Sequence, residues 1–384
     1  MAFYKKSYSK KFKLSHQLAK TPLIFMSNSY LTRARLKGYR NIRDTEATFE
    51  NGLNIIIGPN GCGKSNFLWL LNNISNDITN DLEISGDLET VILGNLLQTT
   101  ITSRINEEDS FRIVKDIIHS IIKNTNDSTE HFISKEYLMY DAYLTFSIPS
   151  EIECFSTSNT ISLSTYNQGI GYRVLSSSNN PIIERLTNFI FFSKDGITIQ
   201  NFNVVPKYID TIKKYTPIQD IRVEYPMRED EITMEKTTYG SKIIISNLMY
   251  GFKTNNSWFK WNELSDGTRR IVWIVLNILA TNRAVLLEEP ELGIHPNQLQ
   301  LLMQFLKEQS AEKQIIITTH SPEVLNILDE NELNRIKLAR YDETLKSTVI
   351  ENLSDKKQAA IKRYFAKTGL LSSYWLNIGL ENKK

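Results

Sequence analysis

The stretch Leu53 to Leu71, LNIIIGPNGCGKSNFLWLL, constrains this chain more than any other. The isoleucines at 55, 56 and 57 favour an extended backbone, and their uninterrupted apolarity predicts a buried strand. Gly58 breaks that run, and the chain turns through Pro59, Asn60, Gly61, Cys62 and Gly63. A helix is predicted from Lys64 and Ser65 onward, with Phe67, Leu68, Leu70 and Leu71 at helical spacing. Strand, Gly58-x-x-x-x-Gly63-Lys64-Ser65 and helix together fit a phosphate-binding loop in the setting that loop requires. Glycines let backbone N–H groups curl round phosphate oxygens, and the opening helix turns its positive end toward them. Lys64 is expected to reach the β- and γ-phosphates of ATP, and the Ser65 hydroxyl to ligate Mg²⁺. The segment from Gly58 to Asn66 is therefore expected to bind the nucleotide.

The chain has 384 residues, enough for one large domain or two moderate ones. Its apolar and charged fractions are those of a soluble globular protein. Two cysteines, Cys62 and Cys154, lie far apart without metal-site spacing, which argues against a disulfide framework or zinc site and for a reducing, cytoplasmic setting. No apolar run approaches a membrane span. Charge is uneven: residues 1–25 hold Lys5, Lys6, Lys10, Lys11, Lys13 and Lys20 and no acid, and without them the net charge of +2 would be −4. The stretch reads as a disordered extension, with an arm for the DNA backbone as the functional alternative. The absence of arginine there argues against a targeting peptide.

Along the chain, Tyr30–Ile42 and Thr45–Phe49 read as a hairpin before the phosphate loop, with Arg40 and Arg43 as candidates near the nucleotide. Helical stretches are expected at Leu88–Leu97 and Arg112–Ile122, with Gln98 a candidate Mg²⁺-sensing glutamine. Strands are expected at Tyr137–Ile148, Ile161–Ser164, Tyr172–Leu175 and Gly196–Phe202, and a charged loop at Tyr225–Glu231. No heptad run marks a coiled-coil arm.

From Trp261 the sequence is informative again. Ser265 is placed to cap a helix whose apolar face is Ile271, Ile274, Val275, Ile278 and Leu279. Ala284–Pro290, AVLLEEP, reads as a buried strand ending in two carboxylates, which resembles a Walker B motif. Glu288 would hold Mg²⁺ through water, and Glu289 would orient or deprotonate the attacking water. A helix over Asn297–Gln309 and a strand over Gln314–Thr318 follow, the strand ending near His320. Ser321 and Pro322 are expected to open a helix, Arg335–Arg340 and Thr348–Leu353 to form a hairpin, and Lys356–Lys367 a basic helix. The tail Tyr374-Trp375-Leu376 is expected to pack in the core.

In that order, GPNGCGKS, LSDGTRR, LLEEPELGIHP and TTHS resemble the standalone AAA-family ATPases of the ABC/SMC superclass, the RecF-like and OLD-like group. The resemblance is close over Thr32–Leu71 and Trp261–Leu328. It implies an α/β P-loop NTPase, an ABC-ATPase-like head with an antiparallel side layer and a compact α+β insert. The corresponding expectation is an extension at 1–25, head at 26–75 and 257–384, and insert at 76–256. It further implies ATP shared between two copies of the chain, with Ser265, Asp266 and Gly267 of one facing the phosphate loop of the other, and His320 contacting the γ-phosphate. The chain contains no Asp-x-Asp, which nucleases of the OLD group require, so nuclease activity is expected to come from a partner. The resemblance thus suggests a nucleotide switch acting on a separately encoded nuclease or toxin in bacterial defence. The alternative is a RecF-like DNA-binding ATPase.

Overall fold

The computed structural model describes residues 29–76, 85–92, 95–105, 113–123, 142–144, 159–167, 172–178, 187–193, 197–204, 206–224, 232–237, 240–280, 284–368 and 370–378. Two compact units emerge, both discontinuous in sequence. The first draws on Met1–Thr145, Thr281–Pro290 and Leu306–Lys384, and the second on Phe146–Ala280 and Glu291–Phe305.

At the centre of the first unit, β3 (Leu53–Ile57) and β17 (Ile315–Thr319) are buried at every position. Their isoleucine runs, with Asn54, Thr318 and Thr319 buried among them, suit strands covered on both faces rather than an alternating, half-solvated pair. They pair in parallel, β16 (Val285–Glu288) joins β17, and β7 (Ala142–Leu144) joins β16. On the other side of β3 lie β18 (Ile336–Asp342), parallel, and β19 (Ser347–Asn352), antiparallel. The order is β19-β18-β3-β17-β16-β7. Helix α1 (Lys64–Asn76) follows β3 and buries Phe67, Leu68, Leu70 and Leu71. Those side chains join one apolar cluster with Ile56, Leu286 and Ile316 of this sheet and with Leu31, Leu36 and Ile42 of a second sheet. Full burial of each large side chain contributes about 1.5–3 kcal/mol, so the helix is fixed from both sides.

The second sheet is antiparallel, in the order β2-β1-β4-β5-β6: β1 (Ser29–Tyr39), β2 (Ile42–Thr48), β4 (Ser85–Ile92), β5 (Asn95–Ile105) and β6 (Ile113–Lys123). It supplies the side layer, and it corrects the helices expected at Leu88–Leu97 and Arg112–Ile122. Leu88 and Leu96 fall at helical spacing, yet the described residues of the first stretch lie on the paired strands β4 and β5 and those of the second on strand β6. Cross-strand pairing and the β-branched runs TTIT and IVKDII outweigh local leucine spacing. Gln98 is consequently a mid-strand residue, paired with Glu89 and Ile121.

Gln314 ties the two layers. Its Oε1 accepts the Leu31 N–H at 2.9 Å, and its Nε2 donates to the carbonyls of Leu31 at 2.7 Å and Glu50 at 2.9 Å. Downstream, Ser321 and Pro322 open a 3₁₀ helix (Pro322–Ile327) rather than an α-helix, and the Ser321 side chain makes no cap bond. Thr319 Oγ1 instead accepts the Ser321 N–H at 2.9 Å. The unit ends with α5 (Asp355–Thr368) and α6 (Leu371–Ile378), where Tyr374 is buried and Leu376 exposed.

The second unit contains β8 (Asn159–Asn167), β9 (Tyr172–Ser178), the hairpin β10 (Thr187–Ser193) and β11 (Ile197–Val204), and α2 (Pro206–Tyr215). Next come β12 (Asp220–Glu224), β13 (Ile232–Thr237), β14 (Gly240–Thr254), β15 (Ser257–Lys260) and α3 (Asp266–Ala280). It also takes in most of α4 (Pro296–Gln309), which packs Phe305 against Tyr215 of α2. The long strand β14 pairs with β8, β12, β13 and β15 in turn. Expected strands at 161–164, 172–175 and 196–202 match β8, β9 and β11, while β10, α2 and β12 to β15 are not among the expected elements. Of the strand expected at 137–148 only β7 falls within the described residues; the loop at 225–231, the extension at 1–25 and Cys154 lie outside them. No helix among the described residues is long and apolar enough to cross a membrane.

Candidate active site

The phosphate loop runs from the end of β3 to the first turn of α1, and its backbone explains its glycines. Gly63 has φ +102°, and a Cβ there would lie 2.0 Å from Thr348 Oγ1 and 2.5 Å from Asn41 Nδ2. Only glycine suits that conformation and that gap. Gly58 has no room for a side chain either, since a Cβ would meet the Ala339 carbonyl oxygen at 2.1 Å. The loop is held from below by Thr348, whose hydroxyl donates to the Cys62 carbonyl at 2.8 Å. Burial pushes the pKa of the Cys62 thiol up, which keeps it protonated and unreactive. The buried Lys64 ammonium donates to the carbonyls of Gly58 and Pro59, each at 2.9 Å, and so folds over the loop it closes.

At the start of α1, Ser65 is exposed. The turn joining β1 to β2 reaches the same helix end: Arg40 donates to Asn66 Oδ1 at 3.1 Å, and Asn66 Nδ2 donates to Asn41 Oδ1 at 2.6 Å. Arg40 sits over the Tyr39 ring, which stacks on Trp69 of α1 at 4.1 Å. The structure therefore brings Arg40 to the helix terminus. Arg43 is exposed on β2, its backbone N–H donating to Ser347. Beside the loop lies an open cavity of about 490 Å³ lined by Pro59, Asn60, Gly61, Arg340, Tyr341 and Trp375. Its size is that of a small-molecule site.

Glu288 ends β16 in register with Thr318 of β17, and Thr318 carries a buried hydroxyl with no hydrogen-bond partner. Glu289 follows with φ +41°, a left-handed backbone that costs a non-glycine residue about 1–3 kcal/mol and that clusters at functional positions. Its N–H donates to the Thr318 carbonyl at 2.8 Å, which pins the strained residue to the neighbouring strand. His320, one residue past β17, places Nδ1 3.2 Å from Glu289 Oε1. That contact meets ion-pair distance without hydrogen-bond alignment, so its strength depends on the imidazole's charge. Phosphate loop, Glu288, Glu289 and His320 thus stand at the C-terminal ends of three adjacent parallel strands, where open α/β sheets place their ligands.

Ser265 and its neighbours belong to the second unit. Ser265 caps α3 as expected: its Oγ accepts the Thr268 N–H at 3.3 Å, and its carbonyl accepts the Arg269 N–H at 2.9 Å. Asp266 is exposed and paired with Arg269. Gly267 packs against the Gly293 backbone, where a Cβ would come within 2.6 Å of a carbonyl oxygen.

The family model described as "AAA domain, putative AbiEii toxin, Type IV TA system" matches residues 53–326. The chain belongs to that family. It is also similar to the endonuclease GajA of Bacillus cereus (strain VD045), at 22% identity over 345 residues, which is 78% of this chain and 57% of that protein. A shorter similarity, 24% over 131 residues, links 33% of this chain to 7% of the ABC transporter ced-7 of Caenorhabditis elegans. The chain therefore spans little more than half of the first relative and a small part of the second. Among solved structures, the Smc head domain with an extended coiled coil from Pyrococcus furiosus matches with a TM-score of 0.50 and 11% identity, covering 88% of this chain and 100% of that one. The chain has an SMC-head-like P-loop fold.

The residues present fit a nucleotide with a divalent cation. The glycine-shaped cradle at Gly58 and Gly63 suits phosphates, and the orphaned Thr318 hydroxyl marks polar demand beside Glu288. Ser65 and Glu288 would hold the cation, which would neutralise phosphate charge. Sequence reasoning missed Asn41 and Thr348, which wedge the loop from residues distant in the chain, and no local pattern marks either.

Proposed function

We propose that this AAA ATPase is a cytoplasmic nucleotide switch: two copies close around shared ATP, and the closed state controls a separately encoded effector, a nuclease or toxin, in bacterial defence. The observation that carries the reading is Glu289 beside His320, 3.2 Å apart and next to the strand that feeds the phosphate loop. In this reading Lys64 offsets charge on the β- and γ-phosphates, and Glu289 orients water and accepts its proton. His320 senses the γ-phosphate, while Ser265 and Gly267 of the second copy offer a helix N-terminus to the same anion. The family's description and the similarity to an endonuclease favour an effector of the toxin or nuclease class. Turnover is expected to be slow, since a switch needs dwell time.

Glu289→Gln is the test. It keeps shape and removes the base, so phosphate release should fall by 10²-fold or more, on the order of a general-base contribution. ATP should then hold the variant as an oligomer that light scattering detects. Hydrolysis at the wild-type rate, or a chain that stays monomeric with ATP in both forms, defeats the proposal.

A further inference from the structure

One polar group of the parallel sheet has no task in the resting fold. Thr318, near the end of β17, is fully buried, and its Oγ1 makes no hydrogen bond. A buried hydroxyl left unsatisfied is unfavourable, and such an orphan in a native fold marks strain, catalysis or an ion site. Register shows where it points. Thr318 pairs with Glu288 of β16 on one side and with Ile56 of β3 on the other. Two residues earlier, Ile316 pairs with Leu286, and Ile316, Leu286 and Ile56 all belong to the apolar cluster that takes in Phe67 and Leu68 of α1. Residues two apart on a strand share a face, and so do residues paired across neighbouring strands. The Thr318 hydroxyl and the Glu288 carboxylate therefore leave the sheet on the face that α1 covers, and Ser65 lies in the first turn of that helix.

Of the two paired residues, only Glu288 has a side chain that can accept a hydrogen bond from that hydroxyl, since Ile56 is apolar. Adjacent strands lie about 4.8 Å apart, a gap that a glutamate spans by changing rotamer. Glu288 is half-buried at the end of β16, so its carboxylate has room to turn. Thr318 is enclosed and β-branched, which restricts its χ1. The donor is fixed and the acceptor adjustable. The Thr318 carbonyl, engaged by the Glu289 N–H at 2.8 Å, holds the two strands in this register right beside the carboxylates.

We propose that Thr318 is the positioning residue of the cation site: its hydroxyl donates to one oxygen of Glu288 and leaves the other to face the divalent cation that accompanies ATP. The proposal rests on the reading of Ser65 and Glu288 as the holders of that cation. A carboxylate that holds a metal is itself hydrogen-bonded, and that second contact sets both its orientation and its affinity. Glutamate is long and loses rotamer freedom when it is fixed, so a rigid donor on the next strand lowers the cost of ordering it. The hydroxyl gains its partner as Glu288 turns toward the cation. Loading the site thus removes a defect that the resting fold carries.

The test measures Mn²⁺ binding to the full chain by electron paramagnetic resonance with a β,γ-imido analogue of ATP present. Binding of the analogue in EDTA and thermal unfolding without nucleotide are measured alongside. Thr318→Val removes the hydroxyl at nearly constant shape and should weaken Mn²⁺ binding by about 10- to 100-fold. Thr318→Ser keeps the hydroxyl and should bind Mn²⁺ as wild type does. In EDTA all three proteins should bind the analogue equally, because the phosphate cradle does not involve Thr318. Without nucleotide, T318V should melt about 2 °C or more above wild type, the relief of one unsatisfied hydroxyl. A merely structural threonine would not combine a more stable resting fold with weaker metal binding. T318V that binds Mn²⁺ like wild type, T318S that loses as much as T318V, or T318V that melts below wild type or fails to fold would each overturn the role of the hydroxyl, with the ATP site still standing on analogue binding in EDTA. A wild type that binds the analogue in neither condition would instead remove the ATP site, and this proposal with it.

Discussion

Lys337 tests the energetics of the first unit. It is 2% exposed on β18, and its Nζ donates to the Asn334 carbonyl at 2.6 Å. Burial is the main cause lowering its pKa to about 8; nearby Glu50 opposes the shift and Arg335 adds to it. The folded state thus binds the proton more weakly than the unfolded chain, whose lysine titrates near 10.4. Stability is fully present above the unfolded pKa and is lost as pH falls toward the folded one. At pH 7 the charged, buried ammonium costs about 3 kcal/mol, and near pH 9.5 roughly half of that remains. Lys337→Met fills the same volume without the charge and gives up one hydrogen bond worth about 1 kcal/mol. The variant should therefore be more stable than wild type by about 2 kcal/mol at pH 7, with the gap closing to a few tenths near pH 9.5. Urea unfolding at the two pH values measures it. A K337M protein no more stable than wild type at pH 7, or a gap that does not narrow with pH, refutes the reasoning.

Two further substitutions probe the loop and its mounting. Gly63→Ala puts a Cβ against Thr348 and Asn41 in a left-handed backbone, so nucleotide affinity should fall at least tenfold by titration with a fluorescent ATP analogue, on the order of 1–3 kcal/mol of strain; affinity within twofold of wild type would contradict the cradle geometry. Gln314→Leu leaves the Leu31 N–H and two carbonyls buried without this partner, so stability should drop by about 3 kcal/mol and hydrogen exchange in β1 should speed up. Unchanged exchange at Leu31 would mean that the two layers are held together some other way.

What could be read from the sequence was local chemistry with a short span. Strand, glycine turn and helix at 53–71 hold their meaning within a few residues, and so do the Ser265 cap and the apolar strand before Glu288. Reading failed where a residue's state is set from far away. Leu88 and Leu96 keep helical spacing, but β4 becomes a strand because β1, more than 50 positions earlier, offers it an edge. Asn41 and Thr348 look unremarkable in sequence and become parts of the site only because the fold presses them, 307 positions apart, against one glycine. Gln314 likewise shows nothing of its role until Leu31 is placed beside it.

Glu289 shows the limit most sharply. The run Glu288-Glu289-Pro290 tells which groups are acidic but not that the second adopts φ +41°. A side chain in an ordinary extended backbone would continue the alternation of β16, with successive residues pointing to opposite faces. The left-handed turn breaks that alternation, and the bond from Glu289 N–H to the Thr318 carbonyl holds the break in place beside His320. The strain cannot be relieved without moving β16 against β17, whose pairing is buried in the sheet. The rigid parallel core therefore does more than support the carboxylate. It sustains a conformation that the residue alone would leave, and that conformation sets the carboxylate 3.2 Å from the imidazole.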